Sequence, residues 1–205
     1  SVLVATHSRF VIDLNRPPDG ASLYPGQSVT GLCPVDLFDD QPLYRNPADA
    51  PCEAEIAARR EAIWQPYHVQ MAQELARLRE AHGVAALWDA HSIRSVLPRF
   101  FDGALPDLNL GTANGASCDP VLAEQLLAIG HQATGYTAVL NGRFKGGHIT
   151  RQYGNPTQGV HAVQLEMTQC SYMQESWPFD YLPEVAAGVQ PHVRRMLEAV
   201  LAFVE

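Results

Sequence analysis

A chain of 205 residues, 46% of them hydrophobic and 18% charged, is long enough to bury a sizeable core and too apolar to be disordered. Its net charge of −8, with no Lys/Arg-rich run, argues against non-specific nucleic-acid binding, which needs a basic surface. No apolar stretch approaches the ~20 residues needed to cross a bilayer, and no basic-then-apolar signal peptide is visible, so a cytoplasmic protein is expected.

In chain order, "SVLVAT" (1–6) and "FVIDLN" (10–15) are β-branched and apolar and read as short buried strands. Ser1 runs directly into the first of them, so preceding sequence belonging to the same fold is expected. Residues 16–52, rich in Pro, Gly and Asp, read as a long loop, a kind usually functional or mobile and a candidate lid. A helix follows over 53–81: Ile56, Ile63, Trp64, Tyr67, Met71, Leu75 and Leu78 keep three-to-four spacing, Pro66 should kink it, and Gly83 stands where a C-cap glycine belongs.

The run "VAALWDA" (84–90) reads as a central strand, apolar on both faces as in a sheet covered by helices. A polar, Gly-bearing segment (92–118) comes next. Asp119-Pro120 supplies an N-cap and first-turn proline for a helix to His131. "YTAVLN" (136–141) and "VHAVQLEMT" (160–168) read as strands around a loop at 142–154, and apolar spacing from Val189 to Val204 marks a closing helix. Alternating strands and helices predict a single α/β domain over 1–205, with a mixed, mostly parallel sheet flanked by helices. Cys33, Cys52, Cys118 and Cys170 form no CxxC pair and read as reduced thiols, and Cys118 has no histidine nearby in sequence to activate it.

Ligands of open α/β sheets bind at the carboxyl ends of the strands. Those ends carry Asn15 and Arg16, then Asp89 and His91, then the 142–154 loop, then Glu166, each a polar group that an apolar strand accommodates only when paired or coordinated. His91 is a metal-ligand candidate oriented by Asp89, or a core histidine hydrogen-bonded to it. Glu166, set between Leu165 and Met167, is a general base or acid poised by desolvation, or an edge-strand glutamate facing solvent. Arg16 could grip a substrate carboxylate bidentately, or bridge to Asp13 or Asp19. Arg94, Arg143, Lys145 and Arg151 are surface cations singly but together suggest a locally positive pocket for a small anion. His148 and Tyr153 are candidate substrate contacts or lid residues. There is no Rossmann fingerprint, P-loop, GxSxG, HxxE or HExxH.

The ordered set "DLNR" (13–16), "DAHS" (89–92) and "QLEMT" (164–168) resembles the elements of zinc carboxypeptidase-like hydrolases. More closely, "VIDLNRPPDG", "LWDAHSIRS", "DLNLGTANGASC" and "GRFKGGHITRQYG" resemble the N-formylglutamate amidohydrolase (deformylase) family over nearly the whole chain. The resemblance implies a zinc carboxypeptidase-like (phosphorylase/hydrolase-like) fold and zinc-dependent hydrolysis of N-formyl-L-glutamate, as in histidine degradation. It makes His91 a zinc ligand, Glu166 the general base and acid, Asn15 and Arg16 the substrate-carboxylate clamp, and Arg94 and Arg151 candidates for the other carboxylate. Catalytic zinc usually has three protein ligands. The resemblance places the other two before the Asn-Arg segment, where no His-Glu pair stands, so they are expected to precede residue 1. A related hydrolase acting on another N-acyl amino acid or a peptide, and a non-catalytic dicarboxylate-binding module, are the alternative readings.

Overall fold

The computed structural model describes residues 1–22 and 29–205; residues 23–28 of the long loop lie outside the description. Four strands form one sheet in the order β1-β4-β2-β3, with β1 Ala85–Ile93, β2 Leu108–Gly111, β3 Ala138–Leu140 and β4 Val160–Thr168. The pairs β1/β4 and β2/β3 are parallel, and the central β2/β4 pair is antiparallel. The fold is thus α/β with a mixed, mostly parallel sheet.

Side chains alternate across a strand, so the long strands β1 and β4 feed two cores. On one face Ala86, Trp88, Leu108, Leu110, Val163 and Leu165 pack against α3 (Pro120–His131) and α5 (Pro183–Val204). On the other, Ala85, Leu87 and Val160 meet Met71 and Leu75 of α2 (Gln65–His82) and Ile149 and Tyr153 of α4 (His148–Tyr153). The sheet's two coats explain why its long strands read as continuous apolar runs.

The predicted 53–81 helix is present but not uniform. An α-helix, α1 (Glu53–Arg59), passes into a five-residue π turn, Arg60–Trp64, and then into α2. The Gln65 N–H reaches back to the Arg60 carbonyl, five residues away, which opens the helix just ahead of Pro66. A proline ring clashes with the carbonyl four residues behind and offers no N–H, so a wider turn absorbs what the sequence predicted as a kink. Gly83 ends α2 at φ 79°, the left-handed C-cap. Asp119 caps α3 through the Val121 N–H at 2.8 Å, with Pro120 in the first turn, as expected.

Several expectations are corrected. Residues 1–6 and 10–15 form no strand: Val2 and Val4 are exposed, and no ladder partner is present among the described residues. Composition supplied the β-propensity, but a strand exists only when another strand pairs with it. Ile12 owes its burial instead to a small cluster with Leu32, Cys33, Ile56, Ile63 and Trp64, over a series of turns. The 92–118 segment conceals β2, four wholly buried residues too short to show periodicity, and the 142–154 loop contains α4. The strand predicted at 136–141 is only Ala138–Leu140, and the closing helix begins at Pro183 and runs through Pro191. The described part of 16–52 is turns, one short 3-10 segment and an isolated bridge, as a long loop should be. No helix among the described residues is long and apolar enough to cross a membrane. All four cysteines are free, and burial, with the Asp119 charge adding to it, pushes the Cys118 thiol up to about 12, which disfavours the thiolate that a nucleophile needs.

Candidate active site

Strand register assembles the centre of the site. Asp89 lies opposite Gln164, and His91 opposite Glu166, on the parallel pair β1/β4. Across the antiparallel pair, Glu166 lies opposite Asn109 and Gln164 opposite Gly111. Register neighbours project from the same face, so two rows, Asp89–Gln164–Gly111 and His91–Glu166–Asn109, run side by side at one end of the sheet. The side chain that Gly111 lacks leaves room for the 145–147 backbone, since a Cβ there would lie 2.4 Å from the Gly146 nitrogen.

Glu166 is 8% exposed on a central strand, which excludes the solvent-facing edge glutamate. Its carboxylate accepts a hydrogen bond from Gln164 Nε2 at 3.1 Å. Burial raises its pKa above the usual carboxylate range, against the charges of His91 and Arg9, which pull it down. His91 Nε2 stands 2.7 Å from Asp89 Oδ1, the pairing expected of residues two apart on a strand. Burial, the largest influence on the imidazole, lowers its pKa, but Asp89 by charge and hydrogen bond, together with the charge of Glu166, outweighs it, and the net direction is upward.

Asn15 and Arg16 come from the turn-rich segment 8–16 and lie over these rows. Asn15 Oδ1 accepts from the Ile149 N–H at 2.8 Å, which settles the amide's orientation. Its Nδ2 then faces His91 Nε2 at 3.0 Å, Asp89 Oδ2 at 3.4 Å and Gln164 Oε1 at 3.4 Å. Gln164 Oε1 also accepts from the Gly147 N–H at 2.8 Å, tying the 145–149 backbone to the sheet. Arg16 is held by three acceptors, the Thr30 carbonyl and hydroxyl and the Asn15 carbonyl, at 3.0–3.1 Å, with Asp13 at 3.8 Å. The predicted bridge to Asp13 therefore coexists with a guanidinium that lines the pocket.

That pocket is bounded by Arg9, Arg16, Arg143, His91, Gln164 and Glu166, with Phe38, Phe100 and Phe144 as its apolar wall. Arg94 and Arg151 are exposed and do not line it; Arg151 Nε donates to the Gly146 carbonyl at 2.9 Å. The positive lining comes instead from Arg9, Arg16 and Arg143. His148 and Tyr153 are also outside the lining, in a cluster with Trp64 and His68 beneath Asn15. Sequence reasoning missed Arg9, Thr30 and Gln164. Only Gln164 left a signal, a polar side chain two positions before Glu166 in an otherwise apolar strand.

Among the described residues no group of three or more His, Cys, Asp and Glu side chains could hold a metal ion. The His91–Asp89 pair alone does not make the three-ligand site of a catalytic zinc. What the arrangement does supply is a desolvated carboxylate, a carboxylate-oriented imidazole and several guanidinium groups, the elements of proton transfer beside an anionic ligand.

A family model described as N-formylglutamate amidohydrolase matches residues 1–173. An N-formylglutamate deformylase of Pseudomonas putida is 56% identical over 203 residues, covering 99% of this chain and 75% of its own. One from Pseudomonas aeruginosa is 55% identical, with 99% and 76% covered. A crystal structure of N-formylglutamate amidohydrolase from Ralstonia eutropha JMP134 superposes with a TM-score of 0.77 at 22% identity, over 96% of this chain and 73% of that one. A gene product from Agrobacterium tumefaciens gives 0.64 at 23%, over 96% and 69%. At such identity the two structures establish the shared fold.

Proposed function

The chain belongs to the N-formylglutamate amidohydrolase family, and from that premise we propose that it hydrolyses the formamide bond of N-formyl-L-glutamate to formate and L-glutamate, as a cytoplasmic step of histidine degradation. The observation that carries the reading is the register pair His91–Glu166, with Asn15 and Arg16 laid over it and arginines around it. A substrate bearing two carboxylates suits an acidic chain only where its pocket is locally positive, and Arg9, Arg16 and Arg143 supply that. Arg16 presents a donor fork pre-set by Thr30, so a carboxylate meets it with little ordering cost. The phenyl wall of Phe38, Phe100 and Phe144 limits water on that side.

Proton transfer falls to Glu166. Its ionised form takes a proton from the attacking water, whose oxygen bonds to the formyl carbon. The carboxyl then returns the proton to the amide nitrogen as the C–N bond breaks, releasing formate and the free amine. Burial makes Glu166 a stronger base than an exposed carboxylate, and the Gln164 amide keeps its Oε2 aimed. His91, held by Asp89, faces the same atoms from β1.

Zinc dependence is part of the proposal, with His91 as the imidazole ligand; the described residues do not supply the rest of a ligand set. Formate release from N-formyl-L-glutamate by the purified chain, with zinc by elemental analysis, tests both halves. Release that rises with added zinc is expected, since one imidazole without a complete ligand set holds the metal weakly. A folded chain that, with zinc added, neither releases formate nor binds N-formyl-L-glutamate overturns the substrate reading. Full turnover without zinc removes the metal and leaves the substrate in place.

A further inference from the structure

The segment that carries Asn15 and Arg16 contains neither helix nor strand, yet its backbone carbonyls do not go begging. Four side chains from one helical stretch reach them. Arg59 Nη1 donates to the Val11 carbonyl at 2.8 Å and His68 Nε2 to the Leu14 carbonyl at 2.9 Å. Trp64 Nε1 donates to the Arg16 carbonyl, and Arg60 Nη1 to the Pro18 carbonyl, both at 3.0 Å. The donors fall along α1, the π turn and the start of α2, while the acceptors fall along 11–18. Helix and turn are zipped together by side-chain-to-backbone bonds, the service a neighbouring strand would otherwise perform.

Two of the four matter most, because they hold the peptide planes that flank the Asn15–Arg16 pair, Leu14–Asn15 on one side and Arg16–Pro17 on the other. The Leu14 carbonyl shares its plane with the Asn15 N–H, itself bonded to Asp13 Oδ1 at 2.9 Å. The Arg16 carbonyl closes the other side. The two donors brace each other: the Trp64 and His68 rings stack with centroids 3.7 Å apart, and His68 Nδ1 accepts from the Tyr153 hydroxyl at 2.8 Å. The Leu14 carbonyl, which can only accept, fixes the Nε2–H tautomer of the neutral ring and leaves Nδ1 to accept from the hydroxyl. The positions 60, 64 and 68 keep four-residue spacing, and the π turn carries two of the four donors, Arg60 and Trp64, at its two ends.

We propose that Trp64 and His68 are positioning residues of the site: they set the orientation of Asn15 and Arg16 by holding the Leu14 and Arg16 carbonyls, and the π turn at 60–64 gives them the reach to do so. The consequence for substrate binding rests on the reading of Asn15 and Arg16 as the carboxylate clamp. Neither ring touches the pocket; both act through the turn.

Three variants test it: Trp64→Phe keeps a ring to stack but removes the donor, His68→Leu removes donor and acceptor, and His68→Gln restores a donor near the Nε2 position. A clamp that binds substrate and transition state alike acts on KM. Trp64→Phe and His68→Leu should therefore raise KM for N-formyl-L-glutamate about 10-fold, with kcat changed less than about 3-fold, and His68→Gln should recover most of the loss. Hydrogen exchange of the 11–18 amides should rise in Trp64→Phe and His68→Leu and stay near wild type in His68→Gln. Unchanged KM and exchange in Trp64→Phe, or equal losses in both His68 variants, overturn the assignment. Should wild type neither release formate nor bind N-formyl-L-glutamate, the substrate reading fails, and the exchange data alone still decide whether these rings hold the turn. Trp64→Phe and His68→Gln keep the test open if His68→Leu does not fold.

Discussion

The two halves of the site are built by different means. His91 and Glu166 stand on adjacent strands, and their separation is set by a hydrogen-bonded ladder with a helix layer on either face. Asn15 and Arg16 stand on a turn-rich segment whose carbonyls are held by side chains from a helix about fifty residues away in sequence. A ladder averages its precision over many backbone bonds, so losing one side chain leaves the strand in place. A segment held by a few side-chain donors keeps its position only while each donor is present. The strand half is therefore expected to respond to substitution through chemistry, and the turn half through geometry.

The sharpest break in that comparison should come from Glu166→Gln, which keeps the side chain's shape and the strand but removes the base. A fall in kcat of at least about 100-fold with an unchanged melting temperature is expected, the usual worth of a general base. Turnover near wild type would take Glu166 out of the mechanism.

The next effect is on stability. Burial drives the His68 pKa down from 6.5 to about 4, so its ring is neutral in the folded protein while the unfolded chain takes up a proton below 6.5. Stability should be fully present above pH 6.5 and fall as pH drops towards 4, where the native ring also protonates. Over that window the loss is about 3 kcal/mol, from ~1.4 kcal/mol per pKa unit. Denaturant melts at several pH values should show this slope in wild type and lack it in His68→Gln. An equal slope in both would assign it to other groups.

A third test moves the turn half without touching a polar group. Gly147 is an ordinary position by its backbone angles, but a Cβ there would lie 2.4–2.6 Å from the Asn15 side-chain amide. Gly147→Ala should displace Asn15 and lower kcat/KM about 30-fold, in line with the cost of a roughly 1 Å misplacement. A crystal structure of the variant with Asn15 unmoved would contradict that account. Smallest is Arg16→Lys, which keeps the charge but loses the planar fork bonded to Thr30. KM should rise about 10-fold with kcat nearly unchanged. A lysine variant with wild-type KM would mean that charge alone suffices there.

The strand half was legible because its residues announce themselves. An Asp and a His two apart at the end of "VAALWDA", and a Glu within "VQLEMT", are polar groups in apolar runs, and period-two alternation places them on one face. Gln164 carries the same signal. Arg94 and Arg151 are cations in polar segments, but composition does not say which cation faces inward, and Arg9 and Arg143 line the pocket instead. The segments 1–6 and 10–15 have the composition of strands but form none, because β-propensity describes a residue's fitness for a pleated surface, not the presence of a partner.

By itself the sequence determined the α/β class, the helix caps at Asp119 and Gly83, the long strands, and the order in which Asn-Arg, Asp-His and Glu occur, since all of these follow from local periodicity and cap chemistry. It also carried the family, through several long motifs at once. Only the tertiary structure decided the antiparallel joint between β2 and β4, the register that sets His91 beside Glu166, and the grip of Trp64 and His68 on the turn below Asn15. Each of those is a contact between segments far apart in the chain, and its energy depends on a distance that no local pattern of residues encodes.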